Sequence, residues 1–256
     1  MPARLARHLL RHHRTPQANR QLGAMLAWIA GAANASGFLV VHQYTSHMTG
    51  MVSTLADALV LQQQRLIWTT LVSLGCFLTG SVLCTLCIQW ARQWRVRSEY
   101  ALALVFQACL MLLFGVLASR VFPKVALTLS MTAWLLCLMM GWQNAMITKL
   151  SHAEIRTTHV TGLITDIGIG LGRCLGPELA QDARRRVLGK LAVQGMILLM
   201  FFSGGVCGAL VFQRVGVIAT LPLALALLLM GLVPVWDDLC LYWRWRRMHR
   251  HDKALH

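Results

Sequence analysis

The sequence predicts an all-α, polytopic transmembrane helical bundle: six spans plus two short polar intramembrane helices, arranged as a 3+3 inverted internal repeat. Three observations lead there. The 256 residues are 57% hydrophobic and 13% charged, a composition outside that of soluble domains. Six apolar runs approach the roughly 20 residues that a spanning helix needs. Three short motifs also recur, in the same order, in the two halves of the chain.

The elements follow in order. Residues 1–21 form a basic arm, "MPARLARHLLRHHRTPQANRQ", with no apolar region ahead of a cleavage site and so no signature of a removable signal peptide. The expected spans are Leu22–Val41, Leu66–Trp90, Ala101–Ser119, Val125–Ile147, Leu191–Phe212 and Val217–Val235. The first repeat covers 22–119, the second 125–235, and 236–256 is a basic tail. No polar stretch between spans is long enough for a second core, so one membrane domain is expected.

The formal charge of +15 lies at the termini and in short connections. That placement is a topology signal and not a nucleic-acid groove. The expected partners are therefore the lipid bilayer and, at the basic termini, anionic headgroups. Cys84 and Cys87 form a CxxC inside a span with no second pair, so no metal site is expected and cysteine acts as a small hydrophobe. "GIGLG" at 168–172 follows no strand, which removes a dinucleotide loop. With no cofactor motif and neither GxSxG nor HExxH present, enzymatic activity is not expected. Trp90, Trp94, Trp236, Trp243 and Trp245 stand near span ends, where tryptophan anchors helices at the interface.

The repeat is carried by "GAANA" (31–35) matching "GWQNA" (141–145), "TSHMTG" (45–50) matching "TTHVTG" (157–162), and "FLTGSV" (77–82) matching "FFSGGV" (201–206). Each half then reads span, polar segment, span, span. The first polar segment, from Thr49 to Leu61, would be a helix of about 20 Å against a hydrocarbon core of about 30 Å. The second, Thr161 to Leu175, is comparably short. Segments of this kind are buried in protein or line a cavity.

Candidate substrate-binding residues follow from these segments. Asp57 and Asp166 are the two acids within the apolar stretches, and intramembrane acids are functional candidates by default. Thr49 and Thr161 open the segments, preceded by His47 and His159, whose side-chain type titrates near neutral pH. Asn34 and Asn144 hold matching places in the first and fourth spans, where asparagine either bonds across helices or meets substrate.

The chain resembles the YoaK-like family of bacterial membrane proteins, grouped by a domain of unknown function. The resemblance rests on "HMTG" and on "GWQNAMITKLSHAEIRTTHVTGLITDIGIGLGR" (141–173), and it runs from about Leu22 to Val235. Met51 stands where the family commonly has Asn. The resemblance implies an integral inner-membrane protein of six spans, without an established substrate.

Two function classes fit. A small-solute or ion permease, with a site between the two polar segments and a small solute or proton as cargo, would use duplicated halves and broken helices together. A non-transporting sensor or assembly module would use the polar segments to lock the bundle. Orientation follows from the cations. With six spans and cytoplasmic termini, Arg92, Arg95, Arg97, Lys149, Arg156, Arg173, Arg184, Arg185, Arg186 and Lys190 lie inside, and Arg65, Arg120, Lys124 and Arg214 outside. If both polar segments crossed instead, Arg92, Arg95, Arg97, Lys149, Arg156 and Arg214 would be outside, which fits the positive-inside rule less well.

Overall fold

The structure is a computed structural model that describes residues 16–93, 99–119, 126–150, 160–176, 180–232 and 236. The basic arm before Pro16, His159, Trp94 and the tail beyond Trp236 lie outside the described residues.

The described residues are all-α. The helices are α1 (Pro16–Val41), α2 (Met48–Val60), α3 (Gln64–Gln93), α4 (Glu99–Leu117), α5 (Ala126–Leu150), α6 (Val160–Leu175) and α7 (Gln181–Val215). A 3-10 turn at Gly216–Ala219 leads into a last helix, α8, over 220–232. Among the described residues, four stretches are long and apolar enough to cross a membrane: Asn19–Val41, Gln64–Gln93, Tyr100–Leu117 and Gln181–Leu232. The last joins α7 to α8 through Gly216, whose φ of 64° suits a residue without a Cβ. α5 has 25 residues, but Gln143, Asn144 and Lys149 dilute its apolar character. Gln143 and Asn144 are buried, so the bundle shelters what lipid would not. Large apolar side chains such as Leu78, Leu113, Phe202 and Leu225 remain exposed, as they do on a surface that a bilayer covers.

Two helix pairs form the framework, α1 with α7 and α3 with α5. Small residues bring their backbones together. A methyl group on Gly31 would run into the Phe201 carbonyl oxygen, and one on Gly204 into that of Trp28. In the other pair, Gly141 meets the Phe77 carbonyl and Gly80 that of Leu138. Ser81 Oγ donates to the Gly141 carbonyl at 3.0 Å. Between the pairs, Gln143 Nε2 donates to the Leu26 carbonyl at 2.8 Å. Leu26, Ile88, Leu104, Met111, Phe114, Leu136 and Trp142 fill the core among these helices.

The contacts set helix direction. Trp28 meets Gly204 and Ala32 meets Gly208, so α1 and α7 run parallel. Leu26 meets Gln143 and Gly37 meets Leu136, so α1 and α5 run antiparallel. Tyr100 Oη contacts Arg92 and the Lys149 carbonyl at 3.2 and 3.3 Å, which places the C-termini of α3 and α5 at one end. It follows that α1 and α3 point in opposite directions, and so do α5 and α7. Each short helix, α2 or α6, thus connects two long helices of opposite direction.

Candidate functional site

The first polar segment turns back into the bundle. α1 ends at Val41, and His42, with φ of 53°, reverses the chain while its N–H donates to the Phe38 carbonyl at 2.8 Å. Tyr44 stacks on Phe38 with ring centroids 4.5 Å apart. Ser46 Oγ then donates to Asn34 Oδ1 at 3.0 Å. Asn34 lies seven residues before Val41, so the hexapeptide re-enters about 10 Å along α1 at 1.5 Å per residue. Thr45 is buried beside it, and its Oγ1 has no partner. α2 begins after His47, whose ring lies where a side chain on Gly50 would be. Glycine at position 50 makes room for that imidazole.

Both short helices fold back as hairpins on the long helix that follows. α2 buries Met51 and Ala58 and packs on α3, reaching it through the turn at Leu61–Gln63, where Gln62 has φ of 54°. α6 buries Leu163 and Gly170 and packs on α7, with Gly170 against Leu191 and Asp166 Oδ2 accepting from Gln194 Nε2 at 3.2 Å. Ser53 Oγ donates to the Thr49 carbonyl at 3.2 Å and Thr165 Oγ1 to the Thr161 carbonyl at 3.0 Å. The two helix starts thus share one local design.

The seven described residues of the eight expected from sequence are not brought to one place. Asn34 is buried with Ser46, while Asn144 is buried near the C-terminus of α5. Because α1 and α5 are antiparallel, these two asparagines sit in opposite halves of the bundle. His47, Thr49 and Asp57 are exposed around α2, and Thr161 and Asp166 are exposed around α6. α2 and α6 are not a packed pair. Each packs on its own hairpin partner, which separates the segments instead of facing them across a shared site. The acids also differ in register: with Thr49 aligned to Thr161, Asp57 falls opposite Ile169 and Asp166 opposite Thr54.

Mid-bundle polarity comes from two glutamines that are not among the residues expected to bind substrate. Gln107, midway along α4, is fully buried, and neither its Nε2 nor its Oε1 has a hydrogen-bond partner. Gln143 Oε1 is buried and unpartnered as well. Both carboxamides come one residue after a stacked pair, Phe106 and Trp142, whose ring centroids are 4.4 Å apart. Leaving such groups unpaired costs about 1–3 kcal/mol each, a cost that a bound solute or water would remove. The sequence signal for Gln107 is a lone carboxamide inside an apolar run.

A helical bundle with lipid-length apolar helices, apolar outer faces and polar groups at its helix breaks defines a multi-pass membrane protein in contact with the bilayer. The chain belongs to the family described as Protein of unknown function (DUF1275), whose model matches residues 22–233. It is similar to the UPF0700 transmembrane protein YoaK of Bacillus subtilis (strain 168), at 23% identity over 188 residues, 73% of this chain and 81% of that protein. No solved structure matches the chain.

Proposed function

We propose that the protein is a six-span permease of the bacterial inner membrane for a small solute or ion, built as a 3+3 inverted repeat with both termini cytoplasmic. The observation that carries the reading is Gln107: a buried carboxamide at mid-depth whose two polar atoms are both unpartnered. Transporters commonly bind substrate near the midplane, between repeated halves. The repeat itself is supported by reciprocal contacts, since Gly31 meets Phe201 as its counterpart Gly141 meets Phe77, the counterpart of Phe201. The opposite directions of α1 and α5 support the inverted form of that repeat. Under this scheme Asn34, Thr45, Ser46 and His47 line one entrance, and Asn144 with the start of α6 lines the other. Asp57 and Asp166 act at these rims, not at the centre. The protein moves cargo without catalysing a reaction on it.

One observation favours a non-transporting sensor or assembly module. Val52, Leu59 and Val60 on α2, with Ile164, Ile169 and Leu171 on α6, are exposed, and a partner protein could cover them. Reconstituted liposomes separate the readings. Flux of protons, alkali cations or small polar solutes above that of empty liposomes, and lost in Gln107→Leu, is the expected result. Traces equal to empty liposomes throughout would reject transport in favour of the module.

A further inference from the structure

An apolar slot of about 600 Å³ lies between α1, α7 and α8. On α1 it extends from Gln21 to Ser36, fifteen residues or about 22 Å of helix. That volume over that length gives a cross-section of about 27 Å², the width of one extended hydrocarbon chain. Met200 and Cys207 line it and are themselves exposed, so the slot opens towards the bilayer.

The other half of the molecule shows what the slot lacks. Between α5, α3 and α4 the corresponding space is filled by Trp142, which stacks on Phe106 and donates from Nε1 to the Ala103 carbonyl at 3.0 Å. In the GxxNA motif Ala32 holds the place of Trp142. Gly115 meets Thr220, and Gly231 meets α4 at Ala101 and Val105; taking these two glycines as counterparts puts Ala219 and Pro222 where α4 has Ala103 and Phe106. Both Ala32 and Pro222 line the slot. This comparison of halves rests on the repeat proposed above, whereas the slot and its lining do not.

At one end of the slot is a polar group without a partner. Ser36 is 1% exposed, and its Oγ makes no hydrogen bond. Val211 lines the slot beside it, and one turn further along α7 is Arg214, exposed at the end of the helix. A hydroxyl donor followed by a cation at the mouth of a chain-wide apolar slot matches the ester and phosphate of a lipid above its acyl chain. We infer that the slot between α1, α7 and α8 is a binding site for an anionic phospholipid. One acyl chain lies along Ala32, Ser36 donates to an ester carbonyl, and Arg214 faces the phosphate.

The test is native mass spectrometry of the full chain, purified in detergent and supplied with phosphatidylglycerol or phosphatidylcholine. Wild type is expected to retain one phosphatidylglycerol and to prefer it severalfold over phosphatidylcholine. Ala32→Trp, which fills the slot as Trp142 fills its twin, should lower occupancy at least tenfold. Gly75→Trp, placed where nothing lies within 4 Å, should leave it unchanged. A folded Ala32→Trp protein, monodisperse and with unchanged helical circular dichroism, that keeps the lipid would overturn the proposal. Should that variant not fold, Ser36→Ala combined with Arg214→Gln decides: a loss of the phosphatidylglycerol preference supports the site, and an unchanged preference overturns it. A lipid-free wild-type dimer that Ala32→Trp dissociates would also overturn it, assigning the slot to a second copy of the chain.

Discussion

The Cα of Gly141 on α5 lies against the backbone carbonyl of Phe77 on α3, with no room for a side chain between them. Gly31 and Phe201 stand in the same relation on α1 and α7. Valine at either glycine should destabilise the fold by about 1–3 kcal/mol through forced separation of the backbones. Gly75→Val, whose new atoms meet open space, should change little. Thermal unfolding in detergent measures all three, and equal shifts would contradict the packing described.

The hydrogen bond from Ser46 to Asn34 holds the first hexapeptide inside the bundle. Asn34→Ala and Ser46→Ala should each cost roughly 1 kcal/mol, with a coupling in the double mutant of about 0.6 kcal/mol, the size typical of such bonds within membranes. A cysteine introduced at exposed His47 should react faster with a polar maleimide in the Asn34→Ala background. An unchanged labelling rate would mean that other contacts hold the segment.

Gln107→Leu separates stability from function. Replacing an unpaired buried carboxamide with a side chain that needs no partner should leave stability unchanged or raise it by about 1 kcal/mol. Any flux carried by the protein should fall to background. A strongly destabilised Gln107→Leu protein would show instead that the amide is bonded within the native fold.

Topology is open to labelling from either side. In a background without native cysteines, Arg65→Cys should react with a membrane-impermeant reagent added to intact cells stripped of the outer membrane. Arg95→Cys should react only after the inner membrane is opened. Reaction of both from outside would contradict re-entry of the short helices and the inverted repeat with it.

Much of the helix plan is legible in sequence. The short segments expected to start at Thr49 and Thr161 form helices at Met48–Val60 and Val160–Leu175, because Gly, Thr and the following turn residues punctuate otherwise apolar runs. The start of α7 is less legible. The apolar run begins at Leu191, yet the helix begins at Gln181; hydropathy reports where lipid is tolerated, whereas Arg184, Arg185, Arg186 and Lys190 are good helix formers that continue the helix beyond it. Asn34 and Asn144 are readable as polar positions within spans, whereas Gln107 lies outside every repeated motif, and the sequence marks it only as a lone carboxamide inside an apolar run.

The sequence by itself determined the membrane class, the family and the positions of the helices, since apolar run length and local punctuation are properties of neighbouring residues. Tertiary structure decided which helices pair, that α2 and α6 fold onto α3 and α7 at opposite ends, and that an apolar slot lined by Ala32 lies between α1, α7 and α8. Those outcomes depend on contacts such as Gly31 with Phe201 and Gln143 with Leu26. Residues so distant along the chain meet only when whole helices choose their partners, and that choice rests on matched shapes and satisfied polar atoms that no local pattern encodes.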